Sequence, residues 1–373
     1  MVIKELTLPL RLILTVSLKK YLNHNHPMYP VIEKDLAKRW AGYWGEWALA
    51  NYMKELPQEK YLILHDLQLK LHDISFQIDT LLISQTHILI IEAKNIIGTL
   101  YFDNVFNQLI RKNPEASEES FEDPRIQCRR LQSLLKRWLI LHHLHLLPID
   151  YLIFFKSTNK TILKTSGTGT DLTRICKGRD LFSKIEDSEK KFHQVKIQAP
   201  KRNEIAQFLL SQHTPTQIDI LQEYGLTEAD LLQGVPCPNC THIPMHYQTG
   251  KWICPECSTT SQEAHIEAII DYFLLIKPSI TNRECQTFFQ IPTPDISRNM
   301  LISLNLPTSG HTKKRLYHQW PGDKSYVMAA DKIIAQRVTT HAIYRKRQPN
   351  NPEHNKRGFP AHLTNSNHPE PAD

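Results

Sequence analysis

Between Glu33 and Leu56 the stretch EKDLAKRWAGYWGEWALANYMKEL repeats its apolar positions at helical spacing, through Leu36, Tyr43, Ala50 and Met53, and Pro57 ends the run. YLILHDLQLKLHDI then predicts one or two strands. Gln77 to Asn95, QIDTLLISQTHILIIEAKN, predicts two apolar strands about a short turn, followed by GTLYFD. Residues 107–124 read as a polar connection. After Pro124 the segment IQCRRLQSLLKRWLILHHLHL carries Leu131, Leu134, Leu135 and Trp138 on the apolar face of an amphipathic helix. IDYLIFF, after Pro148, is a short strand apolar enough for the interior of a sheet covered on both faces. A helix, a run of strands, a helix and a buried strand predict an α/β domain over residues 33–200. The first 33 residues add only an apolar lead-in and a Pro/His/Asn-rich break.

Further along, AHIEAIIDYFLLI, TNRECQTFFQI and DISRNMLISLNL read as three short helices, the second opened by a Thr-Asn cap, and HTKKRLYHQW reads as a basic strand. Over residues 262–340 this order resembles a winged-helix domain. The third helix would enter a DNA groove while Lys313, Lys314 and Arg315 contact phosphates. A helical protein-contact module with solvated basic residues is the other reading. The Pro/Asn/His-rich tail, residues 345–373, predicts disorder.

Charged residues interrupt the apolar hairpin at Asp79, Glu92 and Lys94, and burying them requires partners, a metal or a substrate. A two-residue loop at Gln85-Thr86 pairs residues whose numbers sum to 171 and sets Asp79 across from Glu92, with Cβ atoms roughly 5 Å apart. Alternation independently puts Glu92 and Lys94 on one face. Two close carboxylates raise each other's affinity for a proton unless a cation neutralises them. Hard divalent ions accept such oxygens and leave positions for phosphate oxygens, with Lys94 beside the activated water. A structural Lys94–Glu92 salt bridge is the alternative. Glu46 supplies a third acid from the aromatic helix segment YWGEWALA, where Gly45 permits close approach of another backbone.

Gly45-Glu46, then Gln77-Ile78-Asp79, then Glu92-Ala93-Lys94-Asn95 with Gly98, followed by DPRIQCRRLQSLLKRW, resembles the nuclease-related domain of the PD-(D/E)XK nuclease superfamily, over core motifs at 38–155. The resemblance implies a restriction-endonuclease-like fold, a mixed sheet flanked by helices with its acids at one rim. It implies Mg²⁺- or Mn²⁺-dependent hydrolysis of DNA phosphodiesters, with Asp79, Glu92 and Glu46 as metal ligands and Lys94 as the catalytic lysine. Gln77 and Gln127 would position substrate or the motif lysine. A noncatalytic DNA-binding or regulatory protein that keeps the fold is a second reading; RNA processing and an interaction scaffold are others.

CPNCTHIPMHYQTGKWICPEC holds Cys237 and Cys240, then Cys254 and Cys257, two knuckles able to present four thiolates tetrahedrally to Zn²⁺ about a hairpin turning at Thr249-Gly250. Residues 234–260 are therefore expected to form a zinc ribbon holding a structural ion with no open coordination position. C-x-x-C pairs suit a reducing compartment, so a cytoplasmic protein is expected. The net charge of +7 makes polyanions plausible partners without specifying one. No window gives a convincing membrane span, and TSGTGTD lacks the lysine of a phosphate-binding loop, so no ATP requirement is expected.

Overall fold

The computed structural model describes residues 1–113, 116–158, 161–166, 172–311, 314–321, 327–329 and 333. Lys313 and the tail from 345 onward, both assigned expectations above, lie outside the described residues. The chain divides into two compact units: Met1–Thr7 with Asp35–Ile218, and Leu8–Lys34 with the residues from Asp219 onward. Among the described residues no helix is long and apolar enough to cross a membrane.

The chain begins with β1 (Val2–Lys4), α1 (Leu10–Tyr21) and α2 (Tyr29–Met53), so the lead-in contains a strand and a helix that its composition did not announce. β2 (Leu62–Leu71), β3 (Ile74–Ile83) and β4 (Ile88–Lys94) follow as consecutive antiparallel neighbours. A second sheet starts with β5 (Gly98–Asp103), β6 (Gln108–Asn113) and β7 (Ala116–Glu122). α3 (Pro124–Leu141) leads back to β8 (Ile149–Phe155), and β9 (Thr161–Ser166), β10 (Ile175–Lys177), α4 (Asp180–Lys191) and α5 (Ala199–Ser211) complete the first unit.

Its main sheet is mixed, in the order β1-β2-β3-β4-β8-β10, with β8 parallel to both β4 and β10. Helices cover both faces, which explains why β4 and β8 are apolar at successive positions. On one face Cys128, Leu131, Leu135 and Trp138 of α3 and Ile205 and Leu209 of α5 pack against Ile88, Ile90 and Ile153. On the other, Leu49 and Met53 of α2 and Leu181 and Ile185 of α4 pack against Leu89, Ile91 and Phe154.

The expected polar connection at 107–124 is instead largely two strands of the second sheet, ordered β7-β6-β5-β9. Charge pairs with charge across its ladder at successive positions, Arg111 with Glu119 and Lys112 with Glu118, so the hydrophobic alternation that marks a strand is absent there.

In the second unit, α6 (Ile220–Glu223) precedes a small sheet of β11 (His246–Gln248), β12 (Lys251–Ile253) and β13 (Thr260–Ser261). α7 (Ala264–Leu275), β14 (Ser279–Thr281), α8 (Asn282–Phe288), α9 (Pro294–Ser303), β15 (Thr308–Ser309) and β16 (Leu316–His318) follow, the three strands pairing in the order β14-β16-β15. Thr281 caps α8 in a reciprocal capping box with Glu284, as the Thr-Asn signal implied. Ser17 and Lys20 of α1 both bond the buried Asp271 of α7, a charge network that ties these helices together.

Candidate functional site

Thr80 faces Ile91, Leu81 faces Ile90 and Ile83 faces Ile88, the register the two-residue loop requires. The ladder stops before Asp79 and Glu92. Asp79 instead turns its carboxylate to accept the Ala93 N–H at 2.9 Å, so a strand acid substitutes for the next backbone partner at the rim. Glu92 and Lys94 share the face covered by α3, and Gln127 reaches them from the first turns of that helix. Lys94 Nζ donates to Glu92 Oε1 at 2.7 Å and to Gln127 Oε1 at 2.9 Å, while Gln127 Nε2 donates to the same Glu92 oxygen at 2.7 Å. One amide thus fixes both members of the ion pair.

Glu46 arrives from α2. Gly45 is buried against β4, and a Cβ built on it would stand 3.0 Å from the Asn95 Cβ, so only glycine lets the helix approach this closely without displacement. Asn95 returns the contact by donating to the Ala41 carbonyl at 2.7 Å.

The electrostatics follow from packing several carboxylates around so few cations. Burial pushes the Glu46 carboxyl up to about 8, helped by the negative charges of Asp66 and Glu92. Burial, then Glu92 and Glu46, hold Asp79 well above the usual carboxylate range. Burial works to lower the Lys94 ammonium, but Glu92 and Asp79 overcome it and the net shift is upward. Lys94 is therefore a cation here. Glu92 is only 3% exposed, yet its Oε2 has no hydrogen-bond partner, and neither does the buried Oε2 of Glu46. Buried carboxylate oxygens without partners in a group of surplus negative charge fit a hard divalent cation such as Mg²⁺ or Mn²⁺. Gln77 is not part of this gathering: it is exposed on β3 opposite Gln68.

One acid of this region is not among the residues the sequence motifs pick out. Asp66, in β2, is buried and adopts φ 47°, and its Oδ2 lies 4.0 Å from Lys4 Nζ of β1. The signal was available: Asp66 interrupts LILHDLQLKL as Asp79 interrupts its own apolar strand.

The cysteine module is the other candidate metal centre. Cys237, Cys240, Cys254 and Cys257 bring their sulfurs within 4.8 Å of one another, the one such set among the described residues gathered closely enough to hold an ion as it stands. Two equivalent turns do this. Thr241 N–H returns to Cys237 O and Ser258 N–H to Cys254 O, with Thr241 and Ser258 both at positive φ. The expected hairpin is present, pairing Gln248 with Lys251 and Tyr247 with Trp252 about Thr249 and Gly250, both at positive φ as a tight two-residue turn demands. Hydrogen bonds with Thr259 draw the Cys257 thiol down to about 5, while Cys240, against a lowering hydrogen bond from the His242 backbone, is pushed up to about 12 by burial and the neighbouring sulfurs, so without an ion the four sulfurs share protons unevenly. Elsewhere in this unit Lys314 is exposed and Arg315 half-buried beside β16, while Tyr317 and Trp320 are core residues.

Residues 41–156 match the family model described as the nuclease-related domain, a stretch that starts within α2 and ends one residue past β8. Glu46, Asp79, Glu92, Lys94 and Gln127 all fall inside it. Comparison with curated proteins gives no match, and comparison with solved structures gives none.

Proposed function

We propose that the first unit is a metal-dependent nuclease of PD-(D/E)XK type that hydrolyses DNA phosphodiester bonds at the rim formed by Asp79, Glu92, Lys94 and Glu46. The observation that carries this reading is the orphaned, buried Glu92 Oε2 beside a lysine already fixed on the other oxygen of the same carboxylate. Asp79, Glu92 and Glu46 would hold one or two divalent cations. Such a cation supplies Lewis-acid polarisation of the scissile phosphate and lowers the pKa of bound water. The chain's own groups do the rest. Ala93 N–H holds the Asp79 carboxylate at the rim, and Gln127 keeps Lys94 and Glu92 in mutual register. Lys94, as an ammonium, stabilises charge developing on a phosphoryl oxygen and orients the attacking water by hydrogen bonding, but does not take that water's proton. In-line attack forms a bond from the water oxygen to phosphorus and breaks the P–O3′ bond; the water's proton passes to solvent and the departing 3′ oxygen takes one from solvent, which leaves a 5′ phosphate and a 3′ hydroxyl.

The four cysteines belong, in this reading, to a zinc ribbon whose ion is structural, since sulfur donors select Zn²⁺ and all four positions are filled. The α7-β14-α8-α9-β15-β16 order, with its three-stranded sheet, supports a winged-helix module in which α9 would meet DNA and Lys314 and Arg315 its phosphates. Purified wild type, D79A and K94A, each given linear, branched and single-stranded DNA and RNA with Mg²⁺, Mn²⁺ or chelator, test the activity. Metal-dependent nicks made by wild type alone are expected. DNA binding without cleavage by all three would instead assign a noncatalytic role, and cleavage confined to RNA would replace the substrate class.

A further inference from the structure

The main sheet changes hands at one level. In β2, Leu62 and Leu64 enter the same core as Leu67, Leu69 and Leu71, so the inward side chains shift from even to odd numbers across Asp66. β3 makes the reverse change, from Leu81 and Ile83 to Ile78 and Phe76, across Asp79. The β2–β3 ladder pairs His65 with Thr80 and Leu67 with Ile78, leaving Asp66 and Asp79 level with one another and unpaired. A two-residue period cannot reverse its faces without such a break. The break delivers a second acid to the level of the first.

Asp66 is buried to 5% exposure, and its known partners are few: Gln68 Nε2 donates to Oδ1 at 3.1 Å, and Lys4 Nζ stands 4.0 Å from Oδ2. It stands level with Asp79 across the β2–β3 pair, and so borders the group of acids that contains the unpartnered Glu92 and Glu46 oxygens; its negative charge also helps to raise the Glu46 carboxyl.

Resting on the nuclease reading above, we propose that Asp66 is a fourth acidic ligand of the divalent-cation site, and that Lys4 stands in for the cation on Asp66 until one binds. Lys4, 4.0 Å from Asp66, would then do for that acid what Lys94 does at 2.7 Å for Glu92. The ammonium on β1 competes with the incoming ion rather than assisting it. This gives the proposal a signature that a purely structural ion pair lacks: removal of Lys4 tightens cation binding, whereas removal of Asp66 weakens it.

The test is Mn²⁺ binding to the full-length, zinc-loaded protein, followed by electron paramagnetic resonance and calorimetry without nucleic acid, for wild type, D66N, K4M and D79N. Asn suits position 66 because it tolerates the positive φ that Asp66 adopts. Circular dichroism and thermal melts establish that each variant is folded. D66N is expected to lose about tenfold or more in Mn²⁺ affinity, and K4M to gain severalfold. Wild-type affinity in D66N, or unchanged or weakened affinity in folded K4M, overturns the role of Asp66 and Lys4 while leaving the Asp79 site intact. A wild type that takes up no Mn²⁺ sinks the cation reading of the whole rim.

Discussion

As proposed metal centres, the cysteine module and the acidic rim would solve opposite problems. In the module, two turns of the same form bring four sulfurs within 4.8 Å of one another, so the ligand set is already closed. At the rim, the carboxylates are held by the chain's own cations and amides: Glu92 by Lys94 and Gln127, Asp79 by the Ala93 N–H. A closed sulfur set suits an ion that stays and contributes folding energy. A rim whose acids are buried or half-buried and partly unpartnered would suit, on the proposed reading, an ion that comes and goes with the substrate.

That contrast predicts unequal consequences of metal removal. Stripping zinc with a strong chelator, or making C237S, should unfold the module, because binding energy at such sites is folding energy, of the order of 10 kcal/mol. Circular dichroism and proteolysis should register the loss within residues 234–260 while the first unit keeps its melting transition. A module that stays protease-resistant without metal would erase the distinction. Chelating Mg²⁺ should leave the fold of both units unchanged.

A smaller effect is expected where the rim is assembled. Gly45→Val drives a side chain into Asn95 and displaces α2 from the end of β4, with a stability cost of about 1–3 kcal/mol. Because Glu46 moves with the helix, Mg²⁺ affinity should fall as well. Urea melts and metal titrations separate the two losses; a variant with native affinity would place Glu46 outside the cation's reach.

The smallest effect is on pH dependence. The Glu46 carboxyl titrates near 8 when folded, against 4.5 for the free group, so the folded state holds the extra proton between those values. Stability from this group is therefore complete below about pH 4.5 and is lost as pH rises toward 8, of the order of 1–2 kcal/mol after allowance for partial exposure. Asp79 shifts in the same direction. Because the buried His65 and His87, both held down near 4, add stability as pH rises through the lower part of that window, the readout is the difference between wild type and Glu46→Gln: without Mg²⁺ the wild type should lose stability relative to the variant from pH 5 to 8, and Mg²⁺ should remove that loss. A difference that does not change with pH would contradict the raised Glu46 carboxyl.

Much of this was legible in the sequence for physical reasons that can be named. The hairpin register followed from loop length: a two-residue loop at Gln85-Thr86 sets Ser84 beside His87, and the pairs from Ile83–Ile88 to Thr80–Ile91 follow in step. The two C-x-x-C pairs fixed the sulfur cluster because thiolates at that spacing have one economical geometry. The β6–β7 strands were missed because charge pairs at successive positions break their alternation, and Asp66 because the sequence shows its interruption of an apolar strand but not that it falls level with Asp79. Gln77 shared a motif with Asp79 but faces away from the gathering, exposed where alternation puts it. α1 and β1 gave no signal since their partners lie far along the chain, Asp271 for one and Ile63 and Leu64 for the other.

The nuclease account is most directly tested by single-turnover cleavage of one labelled DNA duplex by wild type and K94A over a Mg²⁺ titration, with DNA affinity measured in parallel. The predicted result is a wild-type rate that saturates with Mg²⁺, and a K94A rate about a thousandfold lower at unchanged DNA affinity. Cleavage by K94A at the wild-type rate, or wild-type cleavage indifferent to chelator, would contradict it.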